Sequence, residues 1–224
     1  MPQSPPISGF AAEALQTLTP GQIAFIQSLP KAELHAHLNG SIPISVLQDL
    51  AHEYVADSPT DLDLPDVVQA GLAKLERSGG VALTEIQDFF GLFPAIYTLT
   101  STPTALARAT RAVLSEFLDG DPPQCSYLEL RTTPRATAAM SRLEYMKTVL
   151  DEVERYPAEK AAVIVSLDRR MENIVVGECI GVATMLKEGG RRVVGIDLCG
   201  DPLVGINLVS LSNMEVFRMA FDTL

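Results

Sequence analysis

The sequence predicts an α/β fold in which strands and helices alternate and the strands form a parallel sheet. Short apolar segments with strand character recur along the chain, separated by amphipathic segments of helical length. One of them, residues 161–167 (AAVIVSL), is apolar almost throughout, which is typical of a parallel strand covered on both faces. Polar residues directly follow each predicted strand, at the sheet edge where parallel α/β proteins place their sites.

The N-terminal part of the chain predicts a helix, a strand and a second helix. Thr19 and Gln22 form a potential capping box for a helix that ends before Pro30. Residues 31–40 (KAELHAHLNG) then alternate apolar and polar side chains with the period of two expected of an extended segment. A helix opening at residues 41–43 follows. Its apolar face comprises Val46, Leu47, Leu50, Ala51 and Tyr54.

The middle of the chain predicts two further helices and the second strand. Residues 56–80 are acidic and interrupted by Pro and Gly, which indicates irregular or partly helical structure. Thr84 with Gln87 forms another potential capping box. The helix that it starts presents Phe89, Phe90, Phe93 and Ile96. A third helix starts near residues 102–103, and residues 125–131 (CSYLELR) form the second strand.

The C-terminal part completes the alternation of strands and helices. Ser141 with Glu144 caps a helix, and residues 161–167 form the third strand. Residues 173–186 are helical and are followed by a pair of glycines that ends the helix. Residues 192–198 (RVVGIDL) form the fourth strand.

Composition and charge exclude several classes of partner. The net charge of −11 repels polyanions, so neither nucleic acid nor an anionic membrane is an expected partner. No apolar run approaches the roughly 20 residues needed to cross a bilayer, and the N-terminus lacks the features of a secretory signal. Three sparse cysteines, Cys125, Cys179 and Cys199, fit free core thiols in a reducing compartment. We therefore expect a cytoplasmic protein, for which a small anion held by one local arginine remains a possible ligand.

The sharpest local feature is the pair His35 and His37. Residues two apart in a strand share a face, so both imidazoles can reach one divalent metal ion. The alternative interpretation is two unrelated solvent-exposed or core histidines. The third histidine, His52, falls on the predicted surface of a helix.

Four motifs in order along the chain resemble the adenosine/AMP deaminase family. They are residues 29–41 (LPKAELHAHLNGS), 128–135 (LELRTTPR), 168–170 (DRR) and 195–202 (GIDLCGDP). The residues of these motifs are most similar to those of the adenosine deaminase-like branch, which hydrolyses N6-methyl-AMP. The resemblance covers residues 22–205 and implies a truncated (β/α)₈ TIM-type barrel of the metallo-dependent hydrolase kind, with about four strand–helix units present.

The resemblance also implies roles for individual residues. His35 and His37 would be ligands of a single Zn²⁺. The implied contacts with a purine nucleotide or nucleoside are His37, Asn39, Tyr97, Thr132, Thr133, Pro134, Arg135, Asp168 and Gly200. Tyr97 stands where this branch commonly has His. Arg135 can pair bidentately with a phosphate or is a surface cation, and Gly200 has no side chain to obstruct a flat base.

Two further groups near the strand ends have alternative interpretations. Residues 168–170 either contact the nucleotide or form a solvated loop. Glu129 and Arg131 share a strand face, either as an ion pair inside the barrel or as substrate groups.

The sequence departs from the family after the Gly-Asp-Pro motif. The family continues there with His-x-x-Glu, which supplies a third zinc ligand and the catalytic Glu, whereas no His follows His52 here. No catalytic residue is therefore assigned, and we expect a chain that is inactive or poorly folded by itself. The predicted organisation is an N-terminal extension (1–21), the N-terminal part of the barrel (22–205) and a divergent tail (206–224).

Three alternative functions are consistent with the sequence. The first is zinc-dependent deamination of N6-methyl-AMP or adenosine to IMP or inosine. The resemblance also implies that full-length members of this family are monomers. The second is a different metal-dependent amidohydrolase, since many share His-x-His after the first barrel strand. The third is a non-catalytic nucleotide-binding fragment.

Overall fold

Four parallel strands lie side by side in chain order in the computed structural model, which describes residues 9–57, 64–75 and 86–200. The strands are β1 (Ala32–His37), β2 (Tyr127–Thr132), β3 (Ala161–Asp168) and β4 (Val193–Cys199). Each pairs in parallel with the next, so the sheet order is β1-β2-β3-β4. A sheet that grows in one direction with helical crossovers has the topology of the first four units of a (β/α)₈ barrel.

Helices connect the strands throughout the described residues. Two precede β1: α1 (Gly9–Gln16) and α2 (Pro20–Ser28). Six lie between β1 and β2: α3 (Leu38–Ser41), α4 (Ile44–Asp57), α5 (Asp66–Leu75), α6 (Ile86–Phe90), α7 (Phe93–Leu99) and α8 (Pro103–Leu118). One follows β2, α9 (Arg142–Val153), and one follows β3, α10 (Asn173–Glu188). The chain forms two compact units, Met1–Lys31 and Ala32–Leu224, and all four strands belong to the second.

The predicted helix starts are confirmed where the structure describes them. Thr19 with Gln22 and Ser141 with Glu144 form reciprocal capping boxes, and the hydroxyl of Thr102 accepts from the backbone of α8. These caps involve residues within three positions of each other, so local sequence determines them. The predicted cap at Thr84 lies outside the described residues.

Two predicted elements differ from the structure. The extended segment ends at His37, and residues 38–40 belong to the helical turn α3, which turns Leu38 and Asn39 into the protein interior. The single helix expected to present Phe89 through Ile96 is two helices, α6 and α7. Pro94 lies in the first turn of α7, where its missing N–H is tolerated, whereas inside one continuous helix it would break a hydrogen bond.

The core lies between the sheet and the helices. In β2 the burial alternates, with Leu128 and Leu130 fully buried toward the helices and Tyr127, Glu129 and Arg131 partly exposed on the other face. β3 is buried along almost its whole length, as its apolar run predicts. The face of the sheet turned away from the helices is the one that carries polar side chains.

The three cysteines behave as core residues. All are free; Cys125 and Cys179 are buried and Cys199 is partly buried. Burial raises the pKa of the Cys179 and Cys199 thiols to about 11, so they are protonated at neutral pH. In the described parts of the chain we find no helix with the length and apolar character needed for a membrane span. The predicted boundaries at residues 21 and 205 remain predictions.

Candidate active site

A cavity of about 670 Å³ opens at the carboxyl ends of the strands. All four strands contribute to it, together with aromatic residues of α6 and α7. The lining residues that could contact a metal ion or a substrate are His35, His37, Asn39, Tyr97, Arg131, Thr132, Thr133, Asp168, Arg170, Asp197 and Gly200. The prediction that the polar residues after each strand meet at one edge is therefore confirmed.

His35, His37 and Asp197 converge on one point of this cavity. The two imidazole rings lie 5.3 Å apart between centroids, and one ligand atom from each of the three residues lies within 4.8 Å of the others. Asp197 comes from β4 and is the member of the group that sequence reasoning did not single out. The available signal was a carboxylate inside an otherwise apolar strand, which has to be paired if it faces the interior.

The strand that carries the histidines contains a β-bulge. The β1–β2 register shifts between Glu33 and Ala36, and the backbone N–H of His35 donates to the Glu33 carboxylate at 2.8 Å. The carbonyl of Leu34, at the bulge, accepts two hydrogen bonds from Arg131, at 3.1 and 3.0 Å. Bulges of this kind re-aim side chains next to active sites.

The electrostatics of the three residues fit a divalent cation. Burial lowers the pKa of His37, outweighing the opposing effect of Asp197, so the neutral imidazole that a metal requires is favoured at neutral pH. One carboxylate oxygen of Asp197, Oδ2, is paired with Arg131, whereas Oδ1 is buried and lacks a hydrogen-bond partner within the described residues. Because a buried carboxylate oxygen without a partner is costly, a cation at this point would stabilise it. Two imidazoles and a carboxylate are a donor set that zinc accepts.

Arg131 is paired differently from the expected barrel ion pair. Its guanidinium bonds to Asp197 and to the Leu34 carbonyl, whereas Glu129 accepts a hydrogen bond from the Tyr127 hydroxyl at 3.1 Å. The interpretation of Glu129 and Arg131 as a pair is therefore wrong. Side chains two apart on one strand share a face, but Arg131 is long enough to reach β4 instead.

Asn39 and Thr132 belong to a buried network behind the cavity. The Thr132 hydroxyl lies 2.8 Å from the Tyr145 hydroxyl, which also donates to the Asn39 carbonyl oxygen at 3.4 Å. The Asn39 amide donates to Thr100 at 3.4 Å. Burial raises the pKa of Tyr145 to about 12, so it is a hydrogen-bond donor at neutral pH. Both predicted substrate residues line the cavity, yet their polar side-chain atoms are engaged in the interior.

A second cavity of about 720 Å³ adjoins the first and contains Arg135. The residues that line both cavities are Pro94, Tyr97, Thr133, Asp168 and Arg170. The Arg135 guanidinium carbon lies 3.6 Å from the centroid of the Tyr97 ring, a cation–π contact that fixes the arginine beside the shared wall. A ligand in the first cavity can therefore extend toward a positive charge in the second.

Asp168 and Gly200 lie next to each other in the wall of the first cavity. Burial alone would raise the pKa of Asp168, but hydrogen bonds from the Arg170 backbone and guanidinium lower it, so the carboxylate is ionised. Gly200 has φ of +103°, and a Cβ atom there would lie 2.9 Å from Asp168 Oδ1. The positive φ and the nearby carboxylate therefore both favour glycine at this position. They add to the earlier expectation that a residue without a side chain leaves room for a flat base.

The remaining residues named from the sequence lie at the edge of the first cavity or outside it. The Thr133 hydroxyl lies 3.6 Å from the Cys199 sulfur on the cavity wall. Pro134 is buried, and its carbonyl accepts a hydrogen bond from Arg142 at 2.7 Å, so its contribution is to the turn after β2. His52 is exposed on α4, as its position predicts.

Comparison with known proteins adds independent evidence. The family model described as Adenosine deaminase matches residues 30–223. The N6-Methyl-AMP deaminase of Homo sapiens is 33% identical over 195 residues, covering 83% of this chain and 50% of that protein. The chain spans about half the length of the curated relatives it matches.

Solved structures are similar over the same region. The structure of Arabidopsis ADAL complexed with IMP has a TM-score of 0.67 at 32% identity, covering 88% of this chain and 56% of that one. A zinc-bound amidohydrolase from Burkholderia ambifaria has a TM-score of 0.60 at 18% identity, covering 92% of this chain and 52% of that one. The second likeness shows the fold alone.

Proposed function

Because the chain belongs to the adenosine deaminase family, we propose that its cavity serves the hydrolytic deamination of a purine nucleotide, with N6-methyl-AMP as the substrate. In that reaction the C6–N6 bond breaks, a C6–O bond forms from water, and IMP and methylamine are the products. The observation that carries the proposal is the convergence of His35, His37 and Asp197 beside a cavity that continues toward Arg135.

We further propose that His35, His37 and Asp197 hold a zinc ion. Bound zinc supplies a Lewis acid that brings the pKa of water near neutrality. The chain's own residues orient the group: the bulge aims the imidazoles, and Arg131 leaves one oxygen of Asp197 free. Asp197 would be the third protein ligand within this chain, since a catalytic zinc usually has three.

The nucleotide itself would occupy both cavities. The base would lie in the first cavity, whose lining includes Phe89, Phe93 and Gly200. The phosphate would extend to Arg135, whose two-pronged guanidinium matches phosphate oxygens. This positive charge favours N6-methyl-AMP over adenosine, which has no phosphate.

We also propose that these 224 residues by themselves bind metal and nucleotide without turnover, and that the cavity serves deamination only together with the family's His-x-x-Glu segment. The family resemblance implies a Glu in His-x-x-Glu as the proton donor to the purine ring, and all three histidines lie at or before His52. Without that Glu, the amine would have to leave from an unprotonated purine ring.

Calorimetry of the zinc-loaded chain with IMP and with inosine tests the proposal. We expect IMP to bind more tightly than inosine, and Arg135→Lys to weaken IMP by about tenfold or more, since a charge-assisted hydrogen bond contributes about 1.5–3 kcal/mol. Arg108→Lys, which alters a surface ion pair with Asp49 and Glu53, is the matched control and should leave IMP binding unchanged.

An activity panel separates the competing functions. N6-methyl-AMP, AMP and adenosine are incubated with the chain alongside an amide and a lactone, and released amine or acid is measured. Chelator-sensitive turnover of the amide or lactone would favour another amidohydrolase. Turnover of N6-methyl-AMP that is lost in His37→Ala would support the deaminase and overturn the proposal that this chain is inactive alone. Equal binding of IMP and inosine would overturn the phosphate assignment.

A further inference from the structure

We propose that Arg131 is a positioning residue of the metal site, through which one guanidinium sets the geometry of both the histidine strand and Asp197. The inference rests on the proposed metal function of His35, His37 and Asp197. It assigns to Arg131 neither contact with the metal nor contact with the substrate.

The first half of this role is exerted on β1. Arg131 donates through Nε and Nη2 to the Leu34 carbonyl, at 3.1 and 3.0 Å. Leu34 precedes His35 inside the bulge, where the β1–β2 ladder is out of register. These two hydrogen bonds therefore replace regular ladder pairing at the residue that determines where His35 and His37 point.

The second half is exerted on β4. The third donor of the same guanidinium, Nη1, pairs with Oδ2 of Asp197, and both side chains are only 15% exposed. Ser166 lies opposite Asp197 in the β3–β4 register, yet its hydroxyl has no hydrogen-bond partner in the described ranges. Arg131 thus supplies the hydrogen bond that orients this carboxylate and leaves Oδ1 directed away from the ion pair.

The sheet provides the path for this contact. In register, Arg131 lies opposite Ile164 of β3, and Ile164 lies opposite Gly195 of β4. Gly195 has no side chain, so nothing on that row of β4 obstructs an arginine that crosses β3 to reach Asp197. Only arginine has donors arranged in a rigid fork that can serve the carbonyl and the carboxylate together, and lysine cannot reproduce it.

The test compares Arg131→Lys with Arg191→Lys in the complete 224-residue chain. Arg191 is a matched control because it is also partly buried and pairs with two carboxylates, Asp151 and Glu154. Two readouts are used: the affinity for Co²⁺ with its visible absorption spectrum, and the ring resonances of the three histidines in the metal-free chain.

We expect Arg131→Lys to weaken Co²⁺ binding by about 10–100-fold, the range typical of outer-shell partners of metal ligands. The ring signals of His35 and His37 should shift while that of His52 stays in place. Arg191→Lys should alter neither readout. In a double-mutant cycle with Asp197→Asn, the losses should be strongly non-additive, since Arg131 acts partly through that carboxylate.

Two outcomes separate this inference from the proposed function. If the parent chain does not bind Co²⁺, the proposed metal function is wrong. The positioning role of Arg131 is then decided in the metal-free chain, by the ring signals of His35 and His37 and by amide exchange over residues 34–37. If Arg131→Lys and Arg191→Lys lose similar thermal stability while the His35 and His37 signals and the Co²⁺ affinity stay unchanged, Arg131 is a structural ion pair and the inference is overturned.

Discussion

At Gly200, both the backbone conformation and the neighbouring side chain of the cavity wall restrict which residue can be present. Its φ of +103° lies in a region that residues with a Cβ rarely adopt, and an added Cβ would approach Asp168 Oδ1 to 2.9 Å. Asp168 is itself held by Arg170, so it cannot retreat without breaking that pair. The conformation of this wall therefore depends on the absence of a single methyl group.

We predict that Gly200→Ala lowers the free energy of unfolding by about 1–3 kcal/mol, because the alanine is strained and pushes on Asp168. Urea denaturation measures the loss. Gly181→Ala is the control: Gly181 is exposed within α10 and an added Cβ meets nothing within 4 Å, so alanine there should stabilise the chain by about 0.5–1 kcal/mol. Equal effects at the two positions would contradict the strain at Gly200.

His37 couples the site to pH. Its folded-state pKa is lowered, chiefly by burial, below the ordinary value of about 6.5. The unfolded chain therefore binds this proton at a higher pH than the folded chain does. The corresponding stability is complete above about pH 6.5 and is lost as the pH falls through the lower folded-state value.

An NMR titration of the metal-free chain tests this sign. We expect the His37 ring to titrate with a midpoint below 6.5. His37→Gln should make the loss of unfolding free energy between pH 7 and pH 5 shallower by removing this group. A His37 midpoint at or above 6.5 would show that Asp197 outweighs burial.

At the level of elements, local signals determined what was predictable. The capping boxes at Thr19 and Ser141, the apolar run of β3 and the His-x-His spacing all involve residues close in sequence. Asp197 lies in one of the four motifs, but its position in the sequence does not assign it to the metal site. Two strands separate β4 from β1, and Asp197 meets His35 and His37 only in the folded sheet. The bulge in β1 was equally out of reach, since it depends on Arg131 nearly a hundred residues away.

The cap of α9 provides a prediction at this scale. Ser141→Ala removes the hydroxyl that accepts from the Glu144 backbone N–H and leaves half of the capping box. The free energy of unfolding should fall by about 0.5–2 kcal/mol. Thr148→Ala, in the same helix, removes only a hydroxyl that donates to the Glu144 carbonyl and should change stability by less than about 0.5 kcal/mol. Chemical denaturation of both variants checks the difference, and a cap loss no larger than the Thr148 effect would contradict it.

At the scale of the whole molecule, the candidate metal site joins the two outer strands of the described sheet. His35 and His37 belong to β1, whereas Asp197 belongs to β4, with β2 and β3 between them. Neighbouring strands lie about 4.8 Å apart, so the sheet must curve to bring residues of β1 and β4 together, which the spacing of the histidines alone could not predict. A metal bound here would oppose any opening that separates β1 from β4.

We therefore predict that saturating Zn²⁺ stabilises the folded chain and slows amide exchange in β1 and β4 together. At a free concentration of about 100 times the dissociation constant, the stabilisation should reach about 2.7 kcal/mol, since the ion binds the folded state preferentially. A chelator should reverse the effect, and His35→Asn should abolish it. His52→Asn changes the exposed histidine of α4 and should retain the full shift. Protection confined to β1 would mean that Asp197 does not take part, whereas equal stabilisation of His35→Asn would place the metal elsewhere on the chain.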